Sequence, residues 1–254
     1  HVGRLQDRAF RVEIVCRGGN AKKHFMSSAT DYLDAKRSIL QASDMAVVSP
    51  FASATSGTGA AVSFGSVLAT IGAVSNRYGI ASIATGTTTT GRAQIQTPLV
   101  DQIVFGYGRL SMSAMILTPS SLSDGTNRYG LKIGFGNQTT LITESVGAVF
   151  RYRDNINGGN WQIYVVDSAS SLTQVDTGVA VAASTWYRLE IIINADASST
   201  EFWINGNRVG TVVANLQSGT SITAGVLAMI IKALGTTSRT FYMDYLEFRQ
   251  EVSR

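Results

Sequence analysis

The 254-residue chain holds one cysteine, Cys16, and two histidines, His1 and His24, all within its first 24 residues. From residue 45 onward neither type occurs, so a Ser-His-Asp triad, a Cys-His pair or a His/Cys zinc site has no side chains to build it there. A single cysteine closes no intrachain disulfide, which excludes a small disulfide-stapled fold. Charged residues make up only 15% of the chain and proline occurs three times, a balance that excludes a coiled coil and a charge-rich disordered tail. No charge falls between Asp44 and Arg77, yet that stretch is full of Ser, Gly and Thr and contains Pro50. It reads as strand and loop, not as a membrane-spanning helix. What the sequence has in quantity is 27 Ser, 25 Thr and 25 Gly beside 44% hydrophobic residues, and the length suits one large β-type domain with or without a short appendage.

The net charge of +4 is uneven. Residues 1–44 carry eight Lys/Arg against five Asp/Glu, and residues 45–254 carry thirteen against twelve. A body so nearly neutral gives no nucleic-acid footprint. The first residue is His1 in place of Met, which suggests a processed product, a fragment or omitted upstream residues.

Residues 1–47 read as a segment distinct from a domain spanning 48–254. Phe10, Val12 and Ile14 alternate with Arg11 and Glu13, as in a short strand. From Ala29 to Ala42 the spacing of Tyr32, Leu33, Lys36, Ile39 and Leu40, with Ser28 and Asp31 as a capping box, predicts a helix. Cys16 reads as a strand residue and His24, after Lys22-Lys23, as a solvated or contact side chain. From about residue 60 short strands alternate with Gly, Asn, Asp and Ser clusters, the pattern of an all-β antiparallel sandwich of two sheets. The clearest stretch is a meander: Tyr187, Leu189, Ile191 and Ile193 share one face, Phe202 and Ile204 follow, and Asn205-Gly206-Asn207 turns the chain. Further strands are predicted at 76–84, 91–97, 103–117, 129–136, 147–153, 160–167, 172–182, 225–232 and 239–250. Leu110, Met112, Ile116, Leu131, Ile133, Phe135, Phe150 and Tyr152 are core candidates.

Trp-Tyr-Arg-Leu opening one strand, an aromatic strand ending in Ile-Asn-Gly-Asn-Arg-Val, and the final TFYMDYLEFRQ at 240–250 together resemble the meander of concanavalin A-like (laminin G-type) jelly rolls. TGTTTTGRA at 85–93, LSDGTNRYGLKIGFG at 122–136, NINGGNWQ at 155–162 and VDTGVAVAASTWYRLEI at 175–191 are similar to a module of tailed-bacteriophage virion proteins, tail fibres and decoration-like proteins among them. The resemblance spans about residues 50–250. It implies a non-enzymatic virion structural protein on the head or tail surface, a homotrimer by preference, that binds host glycan or cements the particle. Residues 1–44 match nothing in that module, and their position makes them the expected attachment to other virion proteins. No cofactor, nucleic acid or membrane insertion is expected.

Glycoside hydrolases of this superfamily align carboxylates on alternate residues of one strand, so that nucleophile and acid/base face one cleft about 5–5.5 Å apart. No such run exists here. Asp244 and Glu247, three apart, are expected on opposite faces, whereas Glu190 and Glu201 are placed to meet across a hairpin, as surface carboxylates or as a catalytic pair. Asp154-Asn155-Ile156-Asn157-Gly158-Gly159-Asn160 offers oxygen ligands, but its Asn and Gly suit a turn needing positive φ, and no metal site is assigned. TGTTTTGRA lacks the Gly-Lys-Ser/Thr ending of a phosphate loop and reads as a β-branched strand closing on a glycine turn. Parity places Arg151, Arg153, Arg188, Glu190 and Trp203 on the non-core side of their strands, with Trp161 or Tyr164 beside them according to register. Aromatic faces stack on sugar rings and Arg forks bind hydroxyls and carboxylates, so this set suits an acidic polysaccharide. The same residue types also suit a plain sheet face or a subunit interface. A polysaccharide-degrading enzyme and a free extracellular lectin are the alternatives to the virion protein.

Overall fold

A computed structural model describes residues 38–43, 51–64, 80–97, 103–136, 147–153, 157–166, 172–213, 216 and 223–251. Sixteen strands, numbered in chain order, form two eight-stranded sheets among these residues. Sheet I runs β14 (Asn207–Val212), β13 (Thr200–Ile204), β12 (Trp186–Ile193), β7 (Leu110–Leu117), β16 (Thr240–Glu251), β4 (Ala81–Ala84) and β3 (Ala61–Phe64). Its eighth strand, β1 (Ser38–Ser43), pairs with β16. Sheet II runs β11 (Leu172–Ala180), β10 (Asn160–Val166), β9 (Gly147–Arg153), β8 (Tyr129–Gly136), β15 (Thr223–Lys232), β5 (Arg92–Gln96) and β2 (Ala52–Ser56), with β6 (Ile103–Val104) against β15. The ladders are antiparallel, and β15 and β16 enter the middles of the two sheets beside strands far from them in sequence.

Alternation decides which way each strand faces. In β12 Tyr187, Leu189, Ile191 and Ile193 are buried while Arg188 is exposed, and Phe202 and Ile204 of β13 follow the same rule. All eight core candidates named above lie in the main hydrophobic cluster. Aromatic rings stitch the sheets together: Phe150 of sheet II meets Phe202 of sheet I edge-on at 5.2 Å, and Trp161 meets Tyr187 at 5.6 Å. The turn between β13 and β14 has φ of 53° at Asn205 and 81° at Gly206. Positive φ at both central residues gives a hairpin a twist matching its strands, which is why Asn-Gly stands there.

Four expectations change. The helix over 29–42 fails at its end, because Ser38–Ser43 is a strand whose six residues pair with Leu246–Glu251 of β16. The edge of β16 beyond β4 is free to accept that ladder, and a helix of such length is marginal in water without packing. The remainder of that helix, the 10–14 strand, Cys16 and His24 lie outside the described residues, as does Arg77 with the start of the 76–84 strand. The 103–117 strand is broken by a turn carrying Gly106 and Gly108 at φ 87° and 123°, so only β6 and β7 are strands. Thr85–Gly91 is a loop carrying the chain from sheet I to sheet II, not a β-branched strand. Its Gly86 has φ 68°, and a Cβ there would collide with Thr58 O and Ala60 N. Finally, β16 bulges between Met243 and Tyr245. Burial falls at 241, 243, 246 and 248, so the extra residue resets parity and brings Asp244 to the same outer face as Glu247.

Candidate functional site on the outer face of sheet II

The residues singled out by parity divide between two surfaces. Arg188, Glu190 and Trp203 stand on the outer face of sheet I, while Arg151, Arg153 and Tyr164 stand on the outer face of sheet II. Alternation tells inside from outside but carries no information about which sheet a strand joins, so one set became two. Trp161 belongs to neither. It is fully buried between the sheets, its ring against Phe150, Tyr152 and Tyr187.

On sheet I the polar groups satisfy one another. Arg188 NH2 donates to Glu190 Oε1 at 2.7 Å, and its backbone N–H donates to Asn205 Oδ1 at 2.8 Å. Glu201 accepts from Trp203 Nε1 and from Arg208 NH1, each at 3.3 Å. Register sets Glu190 opposite Trp203 and Glu201 opposite Ile192, so the two carboxylates do not face each other directly. Each is held in its own ion pair on a half-exposed surface, the arrangement of a solvated sheet face.

Sheet II is different. Gln94, Met229, Lys132, Arg151 and Gln162 form one row across five adjacent strands, β5, β15, β8, β9 and β10. All five are at most 3% exposed. The next row along sets Val149 beside Tyr164 and Tyr164 beside Gln174. Val149, Tyr164 and Val166 make a small apolar cluster separate from the main core, as residues on the far side of the sheet must.

Within the row, Arg151 is fixed at three points. Its Nε donates to Gln162 Oε1 at 2.9 Å, its NH2 donates to Gln174 Oε1 at 2.8 Å, and the guanidinium lies 4.0 Å over the Tyr164 ring. Two neutral carbonyls and a π face orient the guanidinium. Gln94 is tied to Gln96 through its Nε2. This leaves Gln94 Oε1 and Gln162 Nε2 buried with no hydrogen-bond partner among the described residues. Amide groups removed from water without a partner are destabilising by about 1–3 kcal/mol each. Acceptor, ammonium, guanidinium and donor are thus set along one line, a pattern suited to hydroxyl and carboxylate groups of an extended ligand. Sequence reasoning missed Gln94, Lys132, Gln162 and Gln174. Their only signal was polar residues at outward positions, which an ordinary solvent face also shows.

Asn157–Gly159 forms a 3-10 turn with φ of 58° and 84° at Gly158 and Gly159, and Asn160 Nδ2 donates to Asp176. Asp154, Asn155 and Ile156 lie outside the described residues. Among the described residues no three His, Cys, Asp or Glu side chains gather as a metal would require, and no helix is long and apolar enough to cross a membrane.

Two packed antiparallel sheets with their C-terminal strand inserted mid-sheet define a concanavalin A-like jelly roll. The chain belongs to the family of SO2946-like C-terminal domains, whose model matches residues 76–244. Among solved structures it is similar to the carbohydrate recognition domain of Emp47p, with 10% identity, 86% of this chain and 96% of that one covered, and a TM-score of 0.52. It is likewise similar to an endo-1,3-beta-glucanase from Streptomyces sioyaensis, with 12% identity, coverage of 84% and 95%, and a TM-score of 0.50. At such identities the likeness is one of fold. No curated protein sequence matches the chain.

Proposed function

We propose that this chain is a non-catalytic glycan-binding jelly roll whose binding surface is the outer face of sheet II. The observation that carries the reading is the buried polar row Gln94–Lys132–Arg151–Gln162, with its oriented guanidinium and two amide atoms lacking partners. The row itself is enclosed, and a saccharide would reach its end from the exposed Gln174 on β11, setting an acidic group beside the Arg151 guanidinium and a hydroxyl beside Gln162 Nε2. Tyr164 positions Arg151 and is not itself the sugar platform, since the guanidinium already covers its ring. The two fold relatives are a carbohydrate recognition domain and a glucanase, which is consistent with this reading.

The test is calorimetric titration of the full chain with neutral and uronic-acid oligosaccharides. Arg151→Lys keeps the charge but loses the two-pronged hold, and is expected to weaken uronate binding about tenfold or more, equivalent to ~1.4 kcal/mol. Trp203→Ala on sheet I should leave affinity unchanged. Absence of binding to any saccharide, or loss through Trp203→Ala alone, overturns the assignment.

The setting we propose is the surface of a tailed-bacteriophage particle, with the chain as a homotrimer and residues 1–44 attached to other virion proteins. This rests on the four sequence segments that are similar to virion modules. Antibody to the chain should decorate intact particles, and light scattering should return three times the chain mass. Particles that lack the chain, or a monomer in solution, refute this setting without touching the glycan reading.

A further inference from the structure

We infer that Lys232 and Arg239 form an anion-binding site at one end of the sandwich, built to take a carboxylate, sulfate or phosphate group. This site is separate from the outer face of sheet II. Lys232 is the last residue of β15 and shares the inward parity of Ala224, Val226, Ala228 and Ile230, all core residues. Its side chain therefore emerges where the two sheets part, under the loop that joins β4 to β5. The residue is only 4% exposed, and its Nζ donates to Gly86 O at 2.6 Å. An ammonium has three N–H donors, and this carbonyl is the one hydrogen-bond partner it has among the described residues.

Arg239 reaches the same corner from the start of β16. Its backbone N–H donates to Thr85 Oγ1 at 3.0 Å, and Thr85 N–H donates to Arg239 O at 2.9 Å. Adjacent residues, Thr85 and Gly86, thus hold the Arg239 main chain and the Lys232 ammonium. The Arg239 side chain is 12% exposed, and its Nε is buried without a partner among the described residues. Its one carboxylate neighbour among the described residues, Asp124, is 3.6 Å from NH2 and more than half exposed, too distant for a hydrogen bond. Burial first, and the Arg239 charge second, push the Lys232 ammonium below its usual basicity. Each cation is therefore felt by the other.

Two like charges withdrawn from water, with several donors unmet and a single loosely placed carboxylate, are unfavourable as they stand. One oxyanion between them would accept from Nζ and from Nε and cancel the repulsion. The Gly86 carbonyl is fixed by a left-handed backbone position that no side chain can enter, so Lys232 is held by main chain rather than by a mobile partner.

The test is thermal unfolding of the full chain in inorganic phosphate against chloride at equal ionic strength. Saturating phosphate should raise the midpoint by about 5 °C. Lys232→Met should unfold at a higher temperature than wild type without phosphate and respond to it no more than to chloride. Arg239→Gln, which retains the lysine, should respond less than wild type and serves if the first variant misfolds. Adding an oligogalacturonate to the Arg151→Lys background separates the sources. A rise there that Lys232→Met abolishes assigns the site to an acidic polymer, and a rise with phosphate alone assigns it to a free anion. Equal midpoints in phosphate and chloride, or an undiminished response in both variants, overturn the inference.

Discussion

Trp161 separates the structural reading from the one parity suggested, and its replacement can be worked through. Were it a sugar platform, Trp161→Ala would abolish glycan binding and barely affect stability. In the structure it is fully buried and touches three aromatic rings edge-on, at 5.6 Å from Tyr187 and 6.4 Å from Phe150 and from Tyr152. A buried tryptophan removes roughly 150–250 Å² from water, and at about 25 cal/mol per Å² this is ~4–6 kcal/mol. Measured Trp→Ala losses in cores run about 3–5 kcal/mol. One feature pulls the other way: Trp161 Nε1 has no hydrogen-bond partner among the described residues, so deleting it relieves a penalty of about 1–3 kcal/mol. The net expectation for Trp161→Ala is a loss of about 3 kcal/mol, a large share of the ~5–15 kcal/mol that holds a domain together. With a urea slope near ~3 kcal/mol/M the unfolding midpoint falls by about 1 M. Trp161→Phe keeps most of the packing and removes the orphan N–H, so it should lose less than about half as much. The assay is urea unfolding followed by the fluorescence of Trp186 and Trp203, with saccharide titration on the folded fraction. A Trp161→Ala protein as stable as wild type would refute the placement of this ring between the sheets.

Two further expectations concern acid and base. Burial raises the Glu247 carboxyl above its reference of 4.5, against opposing pulls from Arg249 and Arg188. The folded state thus holds this proton more tightly than the unfolded one, a stabilisation present at acid pH and lost as pH rises through the raised value. Glu247→Gln should therefore match the wild-type urea midpoint in acid and exceed it at neutral pH; a difference that ignores pH contradicts the burial argument. Asp124 is shifted the opposite way, below 3.8, by accepting the backbone N–H groups of Asn127 and Thr126 and by the Arg239 charge. Its contribution is present above 3.8 and fades as pH falls through the lowered value, so Asp124→Asn should flatten that part of the acid limb, and an unchanged limb would argue against the turn.

Much of the sandwich was legible because a strand's period of two writes itself into the sequence wherever one face is buried. β12, β13 and the Asn205-Gly206 turn are of this kind, since alternation and a two-residue positive-φ signal are local properties. β8 and β10 were found as strands for the same reason, yet nearly every residue in them is buried on both faces. There the pattern could not say which polar residues were enclosed. The 29–42 spacing misled because the partner that makes Ser38–Ser43 a strand lies some two hundred residues away, at the free edge of β16.

Residue types and their spacing, taken alone, determined that the described body would be an antiparallel β-sandwich, which residues would fill its core, and that no histidine or cysteine chemistry occurs beyond residue 45. Only the tertiary structure decided which outward residues share a surface. Strand order assigned Arg188 and Arg151 to opposite sheets, register aligned Gln94, Lys132, Arg151 and Gln162, and the approach of the two sheets turned Trp161 inward and set Lys232 and the Arg239 main chain against one loop. The physical reason is that side-chain parity is set within a strand, whereas neighbours across a sheet are set by hydrogen-bonded pairing between segments far apart in the chain.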